Sequence, residues 1–162
     1  MITLKSFEHT PSLSELKVSY RRGRPRNAKQ LPMPFHVSRP VDCETYLRQV
    51  WDKDRIDLQE DFVVVCLSNA NEVLGWVRVA SGGMDAVNVD PRLVFGVALA
   101  ACSAAIVVAH NHPGRRCDPS NEDRVVTERL KRAGELLNIR VLDHLILGRD
   151  GCYSFANGGL VR

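Results

Sequence analysis

No CxxC pair occurs in this chain, and its five cysteines (Cys43, Cys66, Cys102, Cys117 and Cys152) are an odd number. Both facts argue against a disulfide framework and against a cysteine-based zinc knuckle. Long apolar runs are missing too. Nothing approaches the roughly 18 residues that cross a bilayer as a helix, and residues 1–30 hold no apolar segment of the kind a secretory signal carries. The expected setting is therefore cytoplasmic, with no membrane association. Aromatic residues are scarce at 6%. Tyr20 is the only one in the basic stretch KVSYRRGRPRNAK, which gives a base-stacking platform for nucleic acid little support.

What is present suits one soluble domain: 162 residues, 44% hydrophobic and 25% charged. The net charge of +3 is unevenly spread. Residues 1–40 carry Lys5, Lys17, Arg21, Arg22, Arg24, Arg26, Lys29 and Arg39 against Glu8 and Glu15, a net +6, so the rest is about −3. Five prolines (Pro11, Pro25, Pro32, Pro34 and Pro40) make this stretch irregular, with room for a short strand over residues 16–20. It reads as a basic N-terminal arm. One reading is a solvated terminus; the other is an electrostatic contact with nucleic acid or an acidic partner protein.

A compact domain is expected over residues 41–162. Tyr46, Leu47, Val50 and Trp51 have helical spacing. Residues 62–67 (FVVVCL) form an unbroken apolar run, as a buried strand does. A turn at 69–71 and loose alternation over 73–80 give its hairpin partner, ended by Ser81-Gly82-Gly83. Pro91 opens a helix with Leu93, Val94, Val97, Ala98 and Ala101 on its apolar face. Residues 104–109 (AAIVVA) are a second buried strand. The following loop contains Pro113, Gly114 and Pro119, and Ser120 starts a helix with Val126, Leu130, Ala133 and Leu137 at i, i+4, i+7 and i+11. Strands at 140–147 and 152–155, joined by a turn at 148–151, complete an α/β domain with a mostly central sheet. Cys66 and Cys102, both in apolar runs, are expected in the core.

The chemistry is concentrated in HNHPGRRCDPSNED. His110 and His112 leave the end of a buried strand, and side chains at i and i+2 on an extended segment point the same way. Asp123 falls in the first turn of the next helix, which the Pro- and Gly-containing loop can fold back over the strand end. Two imidazoles and a carboxylate are ligands that zinc prefers, and three of them leave a fourth tetrahedral position open to water. Crevices at strand ends are where α/β sheets commonly place chemistry. The plain alternatives are alternate packing of the histidines and a capping box, with Ser120 as N-cap and Asp123 three residues on. With 5 His, 10 Ser and 11 Asp in 162 residues, chance yields roughly 6 × 10⁻⁴ such spacings, which favours a metal site. Capping does not exclude it.

The pattern H-x-H-x7-S-x2-D resembles the JAMM motif of the MPN+ metalloprotease superfamily. The stretch from about Asp57 to the C-terminus, with QEDFVVVCL, the SGG after the hairpin, LDHLILG and YSF, resembles the RadC-like JAB domain of bacteria. One departure is visible: such proteins usually read HNHPSG and this chain reads HNHPGR, a change at positions 114 and 115, neither of which is a ligand. The resemblance implies a JAB/MPN-like (cytidine-deaminase-like) three-layer fold with a mixed central sheet flanked by helices. It implies one Zn²⁺ held by His110, His112 and Asp123, and a general base matching Glu60, with the neighbouring Asp61 as the alternative register. It also implies Ser120 as a hydrogen-bond donor to a tetrahedral oxyanion. The activity implied is hydrolysis of a peptide or isopeptide bond in a protein substrate, a ubiquitin-like conjugate among the candidates. The substrate would lie as an added strand that Ser81-Gly82-Gly83 can line. A DNA-associated accessory or repair factor is the competing function, supported here by the basic arm. A metal-dependent nuclease is a third, although such enzymes usually need two metals.

Three further features stay open. Asp143 and His144 form a second acid–histidine pair; His144 is read first as a hydrogen-bonded structural residue, with a role behind the ligands or toward substrate as the alternative. Cys117, inside the motif loop, is a competing ligand or nucleophile. His9 and His36 have no partner pattern and are expected on the surface.

Overall fold

The computed structural model describes residues 3–5, 15–17, 34–83, 88–113 and 117–159. Two three-residue strands, β1 (Thr3–Lys5) and β2 (Glu15–Lys17), pair antiparallel near the N-terminus. β2 meets the start of the strand expected over 16–20, while residues 18–20 and the basic residues 21–29 fall outside the described residues.

The domain proper follows as α1 (Pro40–Val50), β3 (Asp61–Leu67), β4 (Val73–Ser81), α2 (Pro91–Ala100), β5 (Ala105–Asn111), α3 (Asn121–Leu137), β6 (Arg140–Leu147) and β7 (Cys152–Ser154). The five later strands form one mixed sheet in the order β4-β3-β5-β6-β7. β3 runs antiparallel to both β4 and β5, β5 is parallel to β6, and β7 returns antiparallel to β6. The parallel pair needs a crossover, and α3 is that crossover.

β3 and β5 are buried along their whole length, because helices cover both faces of the sheet. Val63, Val65, Leu67, Val107 and Ala109 pack with Cys43, Tyr46, Leu47 and Val50 of α1 on one side. Phe62, Val64, Cys66, Ile106 and Val108 pack with Val94, Phe95 and Ala98 of α2 and Leu130 of α3 on the other. The result is three layers, α1, sheet and α2–α3, as an α/β domain of this pattern requires.

Local signals act where expected. Asn71 turns the β3–β4 hairpin in the left-handed region (φ 57°), which Asn tolerates better than most residues. Pro91 begins α2, and the Asp90 carboxylate accepts from Arg92 N to cap it. Ser120 and Asp123 form a reciprocal capping box on α3. Three expectations need correction. Phe95 rather than Leu93 supplies the inner face of α2, and Leu93 is exposed. Leu137 is also exposed, because the left-handed turn at Asn138 (φ 54°) ends α3 there. Cys102 is exposed rather than in the core: it follows α2 with φ 51°, in the turn that leads into β5. His36 is exposed as expected, with Glu72 beside it at 3.6 Å, while His9 lies outside the described residues.

Candidate metal centre

The strand pleat decides which groups meet at the C-terminal end of β5. Ile106 and Val108 face α2 and α3, so His110, two residues on, faces the same way. His112 follows just past the strand, its N–H donating to Leu147 O at 3.0 Å. From across the loop, α3 presents Asp123 in its first turn. His110 Nε2 lies 3.0 Å from His112 Nε2 and 3.1 Å from Asp123 Oδ1, and His112 Nε2 lies 3.5 Å from Asp123 Oδ2. All the ligand atoms of this trio fall within 4.8 Å of one another, a group that can hold a metal ion. His110 is buried, while His112 and Asp123 are partly open to solvent, so the group has one accessible side.

The donor set fits a cation. Burial alone would push the Asp123 carboxyl up. Hydrogen bonds from His110, His112 and Ser120 outweigh it and hold the acid well below the usual carboxylate range. A carboxylate and two imidazole nitrogens converging on one point suit a borderline-soft divalent ion with an open position.

Ser120 does two things here. Its Oγ accepts from Asp123 N at 3.0 Å and donates to Asp123 Oδ2 at 2.7 Å. Its hydroxyl proton is thus committed to the ligand carboxylate in this state. Ser120 holds Asp123 in place, and donation to an oxyanion needs a rotation about its side chain.

Glu60 and Asp61 separate cleanly. Phe62 pairs with His110 across β3–β5, their rings stacked at 6.0 Å. Continued by one pleat, that register would set Glu60 level with His112, and Glu60 is buried. Its backbone is fixed on both sides: Glu60 N donates to Gly83 O at 3.1 Å and Gly82 N donates to Glu60 O at 2.8 Å. Gln59 Nε2 also donates to Gly82 O at 2.8 Å, so the Ser81-Gly82-Gly83 segment carries the β3–β4 pairing on past Asp61. Asp61 belongs to the opposite face. Arg55 grips it through Nε and Nη2 (both 3.1 Å), with Arg78 Nε at 3.1 Å and the Ser81 hydroxyl adding to the cluster. A carboxylate so engaged is a structural anchor, which leaves Glu60 as the candidate base of the two.

Two residues of this neighbourhood stand outside the positions the motif names. Asn111, between the two histidines, points away from them and is buried. Its Oδ1 accepts from Asp61 N at 2.8 Å, and its Nδ2 donates to Ile56 O at 2.7 Å and Gln59 O at 2.9 Å. It therefore clamps the backbone on both sides of Glu60. Thr127 is the other, buried on α3 with its hydroxyl 2.6 Å from His144 Nδ1. Its spacing was the available clue: it stands four residues after Asp123, on the same helical face.

Asp143 and His144 are not a working pair. Adjacent on β6, they point to opposite faces. Asp143 accepts from the Ser154 hydroxyl (2.6 Å) and from Ala156 N (2.9 Å), and burial raises its carboxyl above the ordinary value despite those bonds. His144 is fully buried, stacked on Phe155 at 4.9 Å, with Nε2 2.8 Å from His110 Nδ1. Full burial pushes its pKa well below the ordinary value, so it is neutral. Cys117 lies apart from the ligand group, packed with Ile146 and Phe155 and against the β6–β7 turn at Gly151. Burial raises its thiol, the reverse of what a nucleophile needs.

Fold and site together define a class: a three-layer α/β domain with an open-sided group of His-x-His and Asp, able to hold a metal ion, at one end of its sheet. A family profile for the RadC-like JAB domain matches residues 37–160. A "UPF0758 protein" of Rubrobacter xylanophilus is 41% identical over 126 residues, 77% of this chain and 53% of that protein. One of Pelobacter propionicus is 39% identical over 125 residues, 75% and 55% of the two chains. One of Flavobacterium johnsoniae is 38% identical over 101 residues, 62% and 44%. The chain belongs to the RadC-like JAB domain family. It spans about half the length of the curated relatives it matches.

Proposed function

We propose that this chain is a zinc-dependent hydrolase of the JAMM type, acting on a peptide or isopeptide bond. The observation that carries the reading is the convergence of His110, His112 and Asp123 within 4.8 Å, with Glu60 one pleat beyond the Phe62–His110 pair. His110, His112 and Asp123 would hold the ion. When bound, zinc supplies a Lewis acid and brings the pKa of water down to about 7. The rest belongs to the protein. Glu60 accepts a proton from the attacking water and returns it to the leaving amine. Asn111, Gly82 and Gly83 keep the Glu60 backbone from shifting away. Ser120 steadies Asp123 and, after rotation, can donate to the oxyanion. An extended protein segment, a ubiquitin-like conjugate among the candidates, is the substrate class, and the cytoplasm is the proposed setting. Among the described residues no helix is long and apolar enough to cross a membrane.

The test compares the zinc-loaded chain with its Glu60→Gln variant. Both are assayed on fluorogenic peptides, on a ubiquitin-like isopeptide conjugate and on single-stranded DNA. Wild type should cleave at least one of the first two, and Glu60→Gln should keep its zinc while losing about 10²–10⁴-fold in rate. An unchanged rate in the variant refutes the base. Cleavage of DNA alone would move the reading to the nuclease.

A further inference from the structure

His144 and Thr127 do not touch substrate in the reading above, yet they form a chain of hydrogen bonds that joins the backbone of one ligand, Asp123, to the ring of another, His110. The Thr127 hydroxyl lies 2.6 Å from the main-chain O of Asp123. A contact that short between two oxygens needs a proton between them, and a carbonyl has none, so the hydroxyl donates. Thr127 Oγ1 is also 2.6 Å from His144 Nδ1. Its one proton being spent, it accepts there, and His144 carries its proton on Nδ1. Nε2 of the same ring, 2.8 Å from His110 Nδ1, is then the bare nitrogen, and His110 must bring the proton to that contact. His110 Nε2 is the nitrogen aimed at the point where His112 and Asp123 converge, and it is the one free to give its lone pair to an ion bound there.

We infer that Thr127 and His144 are positioning residues that set the tautomer of His110 and lock its ring for metal binding. The order runs from the Asp123 backbone through Thr127, His144 and His110 back toward the Asp123 carboxylate. The ligand on α3 thereby determines the protonation pattern of the ligand on β5. Rigidity supports the assignment. Phe155 stacks on His144 at 11° between ring planes and Phe62 on His110 at 8°, so neither ring can turn over without displacing an aromatic neighbour. A neutral imidazole has one donor and one acceptor nitrogen, and a partner behind the ring decides which faces the ion. The inference rests on the metal-site half of the proposed function and is independent of the peptidase half.

The experiment uses the full chain as wild type, Thr127→Val and Thr127→Ser. Zinc affinity is measured by chelator competition, and the imidazole tautomers of zinc-free wild type are read from long-range ¹H–¹⁵N correlations at mildly alkaline pH. Thr127→Val keeps the shape and removes the hydroxyl, and it should weaken zinc binding about 10–100-fold. Thr127→Ser keeps the hydroxyl and should stay within about threefold of wild type. His110 should show its proton on Nδ1. Equal affinity in Thr127→Val and wild type, or His110 protonated on Nε2 alone, overturns the inference. The tautomer measurement decides even where Thr127→Val does not fold. A wild-type chain that binds zinc with the expected tautomer and cleaves nothing would retire the peptidase reading and leave this one standing.

Discussion

Glu60 and Asp61 are neighbours of the same chemistry with opposite fates. Both are buried, but the pleat turns them to opposite faces, and Asp61 is the one held by Arg55 and Arg78. Burial pushes the Asp61 carboxyl up, but hydrogen bonds from Arg55 and Ser81, with the charges of Arg78 and Arg55, hold it below its ordinary value. A carboxyl with a depressed folded-state pKa stabilises the fold above its unfolded value near 3.9. That contribution is lost as pH falls through the folded value, because the unfolded chain then binds more protons. Asp61→Asn should therefore cost about 2 kcal/mol near neutral pH, less than for a fully buried pair because both arginines are partly exposed. The gap in urea midpoint should narrow below about pH 4. A gap that stays constant with pH would contradict this account. Sequence alone left these two acids in an undecided register. The histidines and Asp123 were legible because few residue types bind metal. The assignment of Asp61 depends on Arg78, seventeen positions away on β4, and only the hairpin register brings them together.

Among the elements, α3 carries the most. It opens with the Ser120–Asp123 box, presents a ligand in its first turn and Thr127 one turn later, and packs Leu130 on the sheet. Its far end depends on Gly134. Asn138 turns left-handed, and Ile139 N reaches back to Gly134 O at 2.9 Å. A Cβ on Gly134 would collide with Ile139 O and stand 3.1 Å from Val141 Cγ2. Gly134→Ala is expected to lower stability by about 2 kcal/mol, although Ala is the better helix former by about 1 kcal/mol. Equilibrium urea unfolding measures it, and a variant as stable as wild type would show that the α3–β6 turn can relax. The 3.6-residue period made this helix readable in advance. Its last expected core position, Leu137, failed because the period says nothing about a reversal at the next residue. Cys102 failed for the same reason, since an apolar run does not reveal a left-handed turn.

At the scale of the molecule, helices cover both faces of a mixed sheet and the chemistry sits at one end of it. Two continuous apolar runs and a helix between parallel strands made that architecture legible. The ligand spacing made the metal group legible. The tie between the ligands was not, because it passes through three separate elements: β5, α3 and β6. The basic stretch at 21–29 lies outside the described residues, so a nucleic-acid contact there stands as a proposal from charge alone. The central claim is that His110, His112 and Asp123 form one metal site, and zinc titration of the full chain against its Asp123→Ala variant tests it most directly. The account predicts one zinc per wild-type chain and at least about 100-fold weaker binding in the variant, since a three-ligand site cannot easily spare one. Wild type holding less than about one zinc in ten chains, or a variant that binds as tightly, would contradict it.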